Sequence, residues 1–204
     1  MRTLRMLSRA CVLSLLALLG GSAAHAGGEY SRPGVHVSAQ GVMAAPLWQS
    51  ELQTNVASAA PGSPPAELGI SGGLDLRVGY RFHERVAAEM GFDWVSDYGI
   101  TLGGADAGGA ANWMYNVDAK LYLLTEAVQP FVVIGMGAYH LDYVVPGTPI
   151  GVDATSFSPR FAGGIDWYID WRWGLTAEVD YVIGTRQLVN LDRVTVSVGA
   201  FWRF

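Results

Sequence analysis

The amino-acid sequence predicts an all-β fold, an eight-stranded antiparallel transmembrane β-barrel with short turns at one end and longer loops at the other. Three observations lead to this prediction. Apolar residues recur at every second position in eight segments of about ten residues, the length that a tilted strand needs to cross a bilayer. The connections between these segments alternate between long and short. Only 15% of the residues are charged, against roughly 25% in soluble domains.

The chain begins with a predicted secretory signal peptide. Arginines precede a short apolar run at 11–19, and residues 24–26 supply the Ala-x-Ala pattern of a cleavage site. The run is shorter than the roughly 20 residues of a membrane-spanning helix, and an uncleaved anchor helix is the alternative. We therefore expect a signal peptide over 1–26 and one barrel domain over 27–204. Because Cys11 is the one cysteine, the mature chain is expected to use neither disulfides nor cysteine-bound metals.

Length and charge exclude several classes of protein. A chain of 204 residues fits one domain and leaves no room for a large multidomain enzyme. The formal net charge is -5 at pH 7, and removal of the basic signal peptide makes the mature chain more acidic still. Nucleic acid is therefore excluded as an expected partner, because phosphate binding needs a basic stripe.

The strands can be followed in order along the chain. From Val194 to Phe204 every second residue is apolar, and the residues between are mostly polar or small. A period of two places successive side chains on opposite faces of a strand. The same pattern predicts strands at 34–43, 68–82, 86–95, 113–123, 130–139, 157–169, 173–182 and 194–204.

The connections carry the residues that break strands. They are predicted at 44–66, 83–85, 96–112, 124–129, 144–156, 170–172 and 183–190. The three longest contain Pro61, Pro64 and Pro65, then Gly103, Gly104, Gly108 and Gly109, then Pro146 and Gly147. Alternating short and long connections are typical of a membrane barrel with tight periplasmic turns and longer outward loops.

The polar face of the strands is predicted to line the lumen. A soluble lipocalin-like barrel with its apolar face inward is the alternative. Charges on the polar face are nearly balanced, which suits a narrow lumen where buried charges must pair. An interior of eight strands can be filled by side chains, so a structural salt-bridge network is favoured over an ion path. The predicted lumenal charge network is Asp75, Arg77, Arg81, Glu89, Asp93, Asp118, Lys120, Arg160, Asp166, Glu178, Asp180, Arg193 and Arg203.

Glycines and aromatic residues favour the membrane barrel over the soluble one. Small residues on the polar face leave room for long charged side chains: Gly69, Gly73, Gly79, Gly91, Gly135, Gly137, Gly164 and Gly199. Aromatic residues flank an apolar band, as membrane interfaces require. They are Trp94, Trp113, Tyr115, Phe161 and Tyr181 near the outer strand ends, and Tyr80, Phe82, Trp167, Trp173, Trp202 and Phe204 near the inner ends.

The signal peptide, the strand patterns, the segment 129–139 and the terminal Trp202-Arg203-Phe204 resemble the small outer-membrane β-barrel proteins of Gram-negative bacteria. The similar groups are the OmpA transmembrane domain and the OmpX-like and OmpW-like barrels of the porin family. The resemblance implies an integral protein of the outer membrane, reached after export to the periplasm. It also implies contact with lipid, lipopolysaccharide and the barrel-assembly machinery. The insertion signal that this machinery recognises corresponds to Val196, Val198, Ala200, Trp202 and Phe204. In contrast to full-length OmpA, no peptidoglycan-binding domain is expected after the barrel, so the resemblance does not imply a cell-wall tether.

Candidate catalytic and metal sites are weak. His36 and Ser38 share one face of the first strand, and some small barrels hydrolyse the acyl chains of lipid A with Ser, His and an acid. Both residues point to the presumed lumen, away from acyl chains, so we expect no enzyme activity and unchanged lipid A on overexpression. His83 and His140 offer no metal-ligand spacing. Acids in the outward loops are expected to be solvated rather than to hold divalent ions: Glu51, Asp97, Asp106, Asp142 and Asp153.

The expected function is a structural or surface-interaction role at the cell surface, with the lumen plugged by charges and no cofactor or metal. The alternative is a narrow, OmpW-like channel for small or apolar solutes. A lipid A-modifying enzyme is the third interpretation. A surface ligand is expected at the first outward loop, 44–66, because loops on a rigid scaffold usually carry recognition.

Overall fold

The structure, a computed structural model, describes residues 28–144 and 151–204. In chain order the elements are a 3-10 turn at Glu29–Ser31, β1 (Gly34–Pro46), α1 (Gln49–Ala59), β2 (Ala66–Leu68), β3 (Ser71–His83), β4 (Val86–Leu102), β5 (Ala105–Tyr122), β6 (Val128–Val144), β7 (Gly151–Tyr168), β8 (Trp173–Val182), a 3-10 turn at Arg186–Leu188, and β9 (Arg193–Arg203). The predicted signal peptide lies outside the described residues, as do Pro146 and Gly147.

Eight long strands close into an antiparallel barrel. Strands β3 to β9 pair with their neighbours in chain order, and β1 pairs with both β3 and β9. The β1–β9 seam joins the two ends of the sheet, with Val37 directly opposite Trp202. The predicted fold class is therefore confirmed. No helix in 28–144 or 151–204 is long and apolar enough to span a membrane.

The polar face of each strand lies inside the barrel. On β9, Arg193 and Ser197 are buried, whereas Val196 and Val198 are 41% and 60% exposed on the outer wall. The lipocalin-like alternative requires the opposite arrangement and is wrong. A closed barrel with an apolar outer wall satisfies every strand hydrogen bond without an exposed edge, which lipid requires.

The strands extend further than predicted at the end with the longer connections. The expected loop 96–112 is mostly strand, because β4 continues to Leu102 and β5 begins at Ala105. Only Gly103 and Gly104 form the turn, with φ of 59° and 82°. These values lie in the left-handed region that glycine adopts without strain. Strands β6 and β7 likewise extend to Val144 and from Gly151, so the expected loop 144–156 is shorter than predicted.

The first connection is structured and not the irregular loop expected for 44–66. Strand β1 continues to Pro46, helix α1 follows, and β2 pairs with the outer part of β4 through Leu68 and Ile100. The predicted second strand, 68–82, is accordingly divided: β2 ends at Leu68 and β3 begins at Ser71. This pairing extends the barrel wall outward beyond β3.

Helix α1 rests on the outer mouth of the barrel. Trp48, Leu52 and Val56 recur every four residues, which places them on one helical face, and all three are buried. No side chain caps the N-terminus of the helix. We infer that packing of this apolar face holds the helix in place.

Candidate functional site

The candidate functional site is the interior of the barrel. All of the predicted lumenal charges are buried there, with exposed fractions of no more than 6%. They include six cations and seven carboxylates, contributed by six of the eight barrel strands. Burying so many charges is costly unless each is paired, so the contacts among them determine what the interior can do.

Arg77 on β3 lies at the centre of this network. Its Nε donates to Asp75 Oδ2 at 2.9 Å, and its Nη2 donates to Glu178 Oε1 at 2.8 Å. Strands β1 and β9 separate β3 from β8, so the bond to Glu178 reaches across the lumen. Oxygens of Glu89 and Asp118 lie 3.6 and 3.8 Å from Arg77 Nη1. One guanidinium is therefore surrounded by four carboxylates.

Arg160 on β7 forms the second centre. Its Nη1 donates to Asp118 Oδ2 at 2.5 Å, its Nη2 contacts Glu178, and Asp180 Oδ2 lies 3.7 Å away. The contact with Asp118 on β5 passes over Gly135 on β6. A Cβ atom at position 135 would lie only 1.7 Å from Asp118 Oδ1. The glycine therefore provides the space that this ion pair occupies.

Lys120 on β5 extends the network toward the short-turn end. Its Nζ is 2.8 Å from Asp166 Oδ2 and 3.4 Å from Glu89 Oε1. The same ammonium lies 3.8 Å from the centroid of the Phe131 ring, within cation–π range. The Tyr122 hydroxyl donates to Asp166 at 3.1 Å.

Arg193 on β9 lies at the outer limit of the network. Its guanidinium contacts Asp93 and donates to Asn112 Oδ1, and its Cζ is 5.4 Å from the centroid of the Tyr139 ring. The residue is fully buried. These contacts mark the boundary between the charged interior and the apolar mouth.

Two arginines bind the main chain at the short-turn end. Arg203 donates to the carbonyls of Tyr30 and Glu29, each at 2.7 Å. Arg81 donates to the main-chain carbonyl of Glu84 and also to the side-chain Oε1 of Gln129, the latter at 2.8 Å. Within the described ranges neither arginine has a carboxylate oxygen within 4.0 Å. The 3-10 turn that contains Tyr30 thereby covers this end of the lumen.

The outer mouth is filled by apolar side chains. The Trp48 ring stacks on Tyr143, with centroids 5.1 Å apart. We call the buried set the outer apolar cluster: Val42, Ala44, Trp48, Leu52, Val56, Ala66, Val95, Tyr98, Ile100, Ala110, Met114, Tyr139, Leu141, Tyr143, Ala154, Val182, Leu188 and Leu191.

His36 and Ser38 both face the interior. His36 Nε2 is 2.9 Å from Glu89 Oε1, so the imidazole belongs to the charge network. Ser38 is half-buried and lines the same internal cavity. That cavity measures about 10 Å³, which is room for about one water molecule. An acyl chain does not fit into it.

The remaining candidate ligands do not come together. His83 is exposed at the β3–β4 turn, whereas His140 pairs with Thr155 near the outer end at 2.9 Å. Asp142 lies directly opposite Asp153 across β6 and β7, and both are exposed. In the part of the chain that the structure describes, no three His, Cys, Asp or Glu side chains are arranged to hold a metal ion.

The predicted wall residues point outward. Trp94, Tyr115 and Phe161 are exposed near the outer ends of their strands, and Tyr80, Phe82, Trp167, Trp173, Trp202 and Phe204 near the inner ends. The residues of the predicted insertion signal form one exposed row on β9: Val196, Val198, Ala200, Trp202 and Phe204.

Sequence reasoning missed several uncharged polar residues of the interior. Tyr122, Asn112 and Gln129 hydrogen-bond to lumenal charges. A signal was present, because Tyr122 lies two residues after Lys120 and therefore points to the same side of its strand. The sequence contains no such indication for Glu29 and Tyr30. Both residues precede the first strand, and they contact Arg203 through backbone carbonyls.

Comparisons with known proteins agree with this geometry. Neisserial surface protein A is 14% identical, with a TM-score of 0.59 over 83% of this chain and 97% of that one. The N-terminal barrel domain of Pseudomonas aeruginosa OprF is 11% identical, with a TM-score of 0.56 over 85% of this chain and 100% of that one. OprG of Pseudomonas aeruginosa is also 11% identical, with a TM-score of 0.56 over 86% and 98%. At these identities the likeness shows the fold alone.

No curated protein sequence matches this chain significantly. The family model for the outer membrane protein beta-barrel domain matches residues 13–204. This family match, which covers the whole barrel, places the protein in the bacterial outer membrane. With the closed barrel, its polar interior and its apolar wall, the chain belongs to the outer membrane protein beta-barrel domain family.

Proposed function

We propose that this protein has a structural or surface-interaction role in the outer membrane and that its lumen does not conduct. The observation that carries the proposal is that side chains occupy the lumen at three successive levels. The outer apolar cluster lies beneath α1, the charge network fills the middle, and the 3-10 turn Glu29–Ser31 covers the short-turn end. A route for solutes would have to displace all three.

The middle level is the strongest barrier. Arg77 and Arg160 both bind Glu178 from different sides of the lumen. Opening a path would separate these ions in a medium of low dielectric constant, where their attraction is largest. The network is therefore suited to bracing the barrel wall rather than to lining a channel.

Conductance of the refolded protein in planar bilayers tests the proposal. Folding is first verified by the different gel mobility of boiled and unboiled samples. We expect a folded barrel that produces no single-channel steps, because paired side chains block the path. Steady and reproducible steps from the folded protein would overturn the closed-lumen proposal.

A narrow channel for small apolar solutes is the second candidate, and the apolar lining of the outer mouth favours it. An apolar solute would find a compatible surface beneath α1, formed by Tyr98, Ile100, Met114 and Leu141. In this interpretation α1 is a removable cover over an entry site.

Replacing Gln49–Ala59 with a Gly/Ser linker of equal length distinguishes the two candidates. Uptake of an apolar fluorescent dye into protein-containing liposomes is measured for both proteins. We expect equal and low uptake, because the charge network still blocks the lumen below the cluster. Faster uptake by the linker variant would assign the protein to the channel class.

We also propose that a surface ligand binds the 44–66 segment, and such binding should be lost in the same variant.

A further inference from the structure

An apolar groove lies on the outer wall at the seam between the first and last strands. It has a volume of about 380 Å³ and is lined by Val37 and Ala39 of β1, Ala200 and Trp202 of β9, and Trp173 of β8. Ala39 stands directly opposite Ala200, and Trp173 directly opposite Trp202. The two small side chains form a depression, and the rings of Trp202 and Trp173 border it on one side, in the neighbouring row.

The groove lies in the half of the membrane nearest the periplasm. Trp202 is two residues from the C-terminus of the chain, and Ala200 is about 7 Å further along the strand, at roughly 3.4 Å per residue. In barrels of this class the short turns are periplasmic. The groove therefore opens toward the phospholipid leaflet of the outer membrane and not toward the lipopolysaccharide leaflet.

Two exposed arginines flank the base of this groove. Arg172 immediately precedes Trp173, and its carbonyl accepts the backbone N–H of Arg203 at 2.6 Å. Arg32 lies two residues before β1, next to the turn whose carbonyls bind Arg203. In the described parts of the chain neither Arg32 nor Arg172 has a carboxylate oxygen within 4.0 Å. The Arg172 Cζ lies 4.3 Å from the centroid of the Trp171 ring, and a guanidinium stacked on a ring keeps its N–H groups available to an anion.

The positive charges that this sector of the rim exposes are Arg32 and Arg172. Besides these two, the buried Arg203 donates hydrogen bonds to main-chain carbonyls, and its Cζ lies 5.2 Å from the centroid of the Tyr168 ring. Two carboxylates share the sector, Glu29 and Asp170, and Asp170 already accepts the backbone N–H of Arg172 at 3.2 Å. With the terminal carboxylate of Phe204 the sector holds three guanidiniums and three carboxylates. The attraction for an anionic headgroup is therefore local to Arg32 and Arg172, which have no carboxylate oxygen within 4.0 Å among the described residues.

We propose that the groove and its rim form a site for one anionic phospholipid of the periplasmic leaflet. One acyl chain lies over Ala39 and Ala200, alongside the row formed by Trp202 and Trp173, and the headgroup phosphate binds Arg32 and Arg172. Arginine pairs with phosphate through charge-assisted hydrogen bonds. The site goes beyond the proposed function and does not depend on whether the lumen conducts.

Native mass spectrometry of the folded protein tests the headgroup contact. The protein is refolded in vesicles of equal parts phosphatidylglycerol and phosphatidylcholine, extracted into mild detergent, and its retained lipid is identified. We expect one phosphatidylglycerol to be retained in preference to phosphatidylcholine. The variant Arg32→Gln/Arg172→Gln should retain about tenfold less, equivalent to roughly 1.4 kcal/mol. The matched control Arg186→Gln, an exposed arginine at the opposite end, should behave as wild type.

A second pair of variants tests the acyl-chain contact. Ala200→Leu fills the groove, and Ala138→Leu makes the same change on the outward face of β6. We expect Ala200→Leu to lower phosphatidylglycerol retention while Ala138→Leu does not, with both barrels folded by gel mobility. Equal retention of the two lipids by the wild type would overturn the proposal. So would unchanged retention in either Arg32→Gln/Arg172→Gln or Ala200→Leu, or an equal loss in the controls.

Discussion

Replacing Arg160 with alanine is expected to destabilise the barrel far more than it increases conductance. The side chain is 1% exposed and bridges Asp118 and Glu178, with Asp180 close by. Its removal leaves buried carboxylates without their cation, a change that typically costs about 3–5 kcal/mol. Urea unfolding in lipid vesicles, followed by tryptophan fluorescence and gel mobility, measures the loss.

Two further variants separate the lost ion pairs from the lost side-chain volume. Arg186→Ala removes an exposed arginine and should change the free energy of unfolding by no more than about 0.5 kcal/mol. Arg160→Ala/Asp118→Asn removes one orphaned charge together with its partner and should recover part of the stability, as coupled neighbours do. A large gain in conductance at unchanged stability of Arg160→Ala would contradict the bracing role of the network.

Gly199→Ala is expected to impair closure of the barrel. A Cβ atom at position 199 would lie 2.1 Å from the carbonyl oxygen of Ala39 and 2.5 Å from Gln40 Cα. These are backbone atoms of β1, so no rotamer change relieves the contact, and the seam strands must move apart. We expect a loss of about 3 kcal/mol, the upper part of the usual range for overpacking, and a lower yield of folded protein.

Gly41→Ala is the matched control for this seam. Position 41 lies on β1 and pairs with Val198 of β9, where an added Cβ meets only a carbonyl oxygen at 3.9 Å. The folded fraction on unboiled gels and the urea midpoint are compared for both variants. Similar values for Gly199→Ala and Gly41→Ala would show that the seam tolerates the added methyl group.

The strands and their inward faces could be predicted because alternation is a local property of the chain. Asp75, Arg77 and Gly79 occupy every second position, so their side chains must share a face in any strand. Charged residues on that face exclude contact with lipid, which assigns it to the lumen. The same reasoning placed every predicted lumenal charge in the interior.

The outer connections were harder to predict because glycine occurs both in loops and within strands. Gly103, Gly104, Gly108 and Gly109 indicate a loop when taken together, yet Gly108 and Gly109 lie within β5. The hairpin forms because a two-residue glycine turn allows β4 and β5 to continue pairing beyond the bilayer.

Helix α1 was predicted as loop although its sequence carried a helical signal. Trp48, Leu52 and Val56 have the spacing of one helical face, followed by the breakers Pro61 and Pro64. This pattern is short and lies in a polar segment, so by itself it does not predict a stable helix. The helix is stabilised only when the apolar mouth of the barrel covers its apolar face. Packing against residues distant in sequence, such as Tyr143, decides the conformation.

The sequence by itself therefore determined the barrel, its compartment and the identity of the charged residues inside it. Only the tertiary structure decided which of those residues meet. Arg77 binds Glu178, 101 positions away, and the two lie on strands that are not neighbours in the sheet. Such a contact depends on the diameter and register of the closed barrel, which a period of two along each strand does not specify. The register in which the barrel closes determines which charges pair and how much space lies above Gly135. It also determines how the turn containing Tyr30 covers the short-turn end of the lumen.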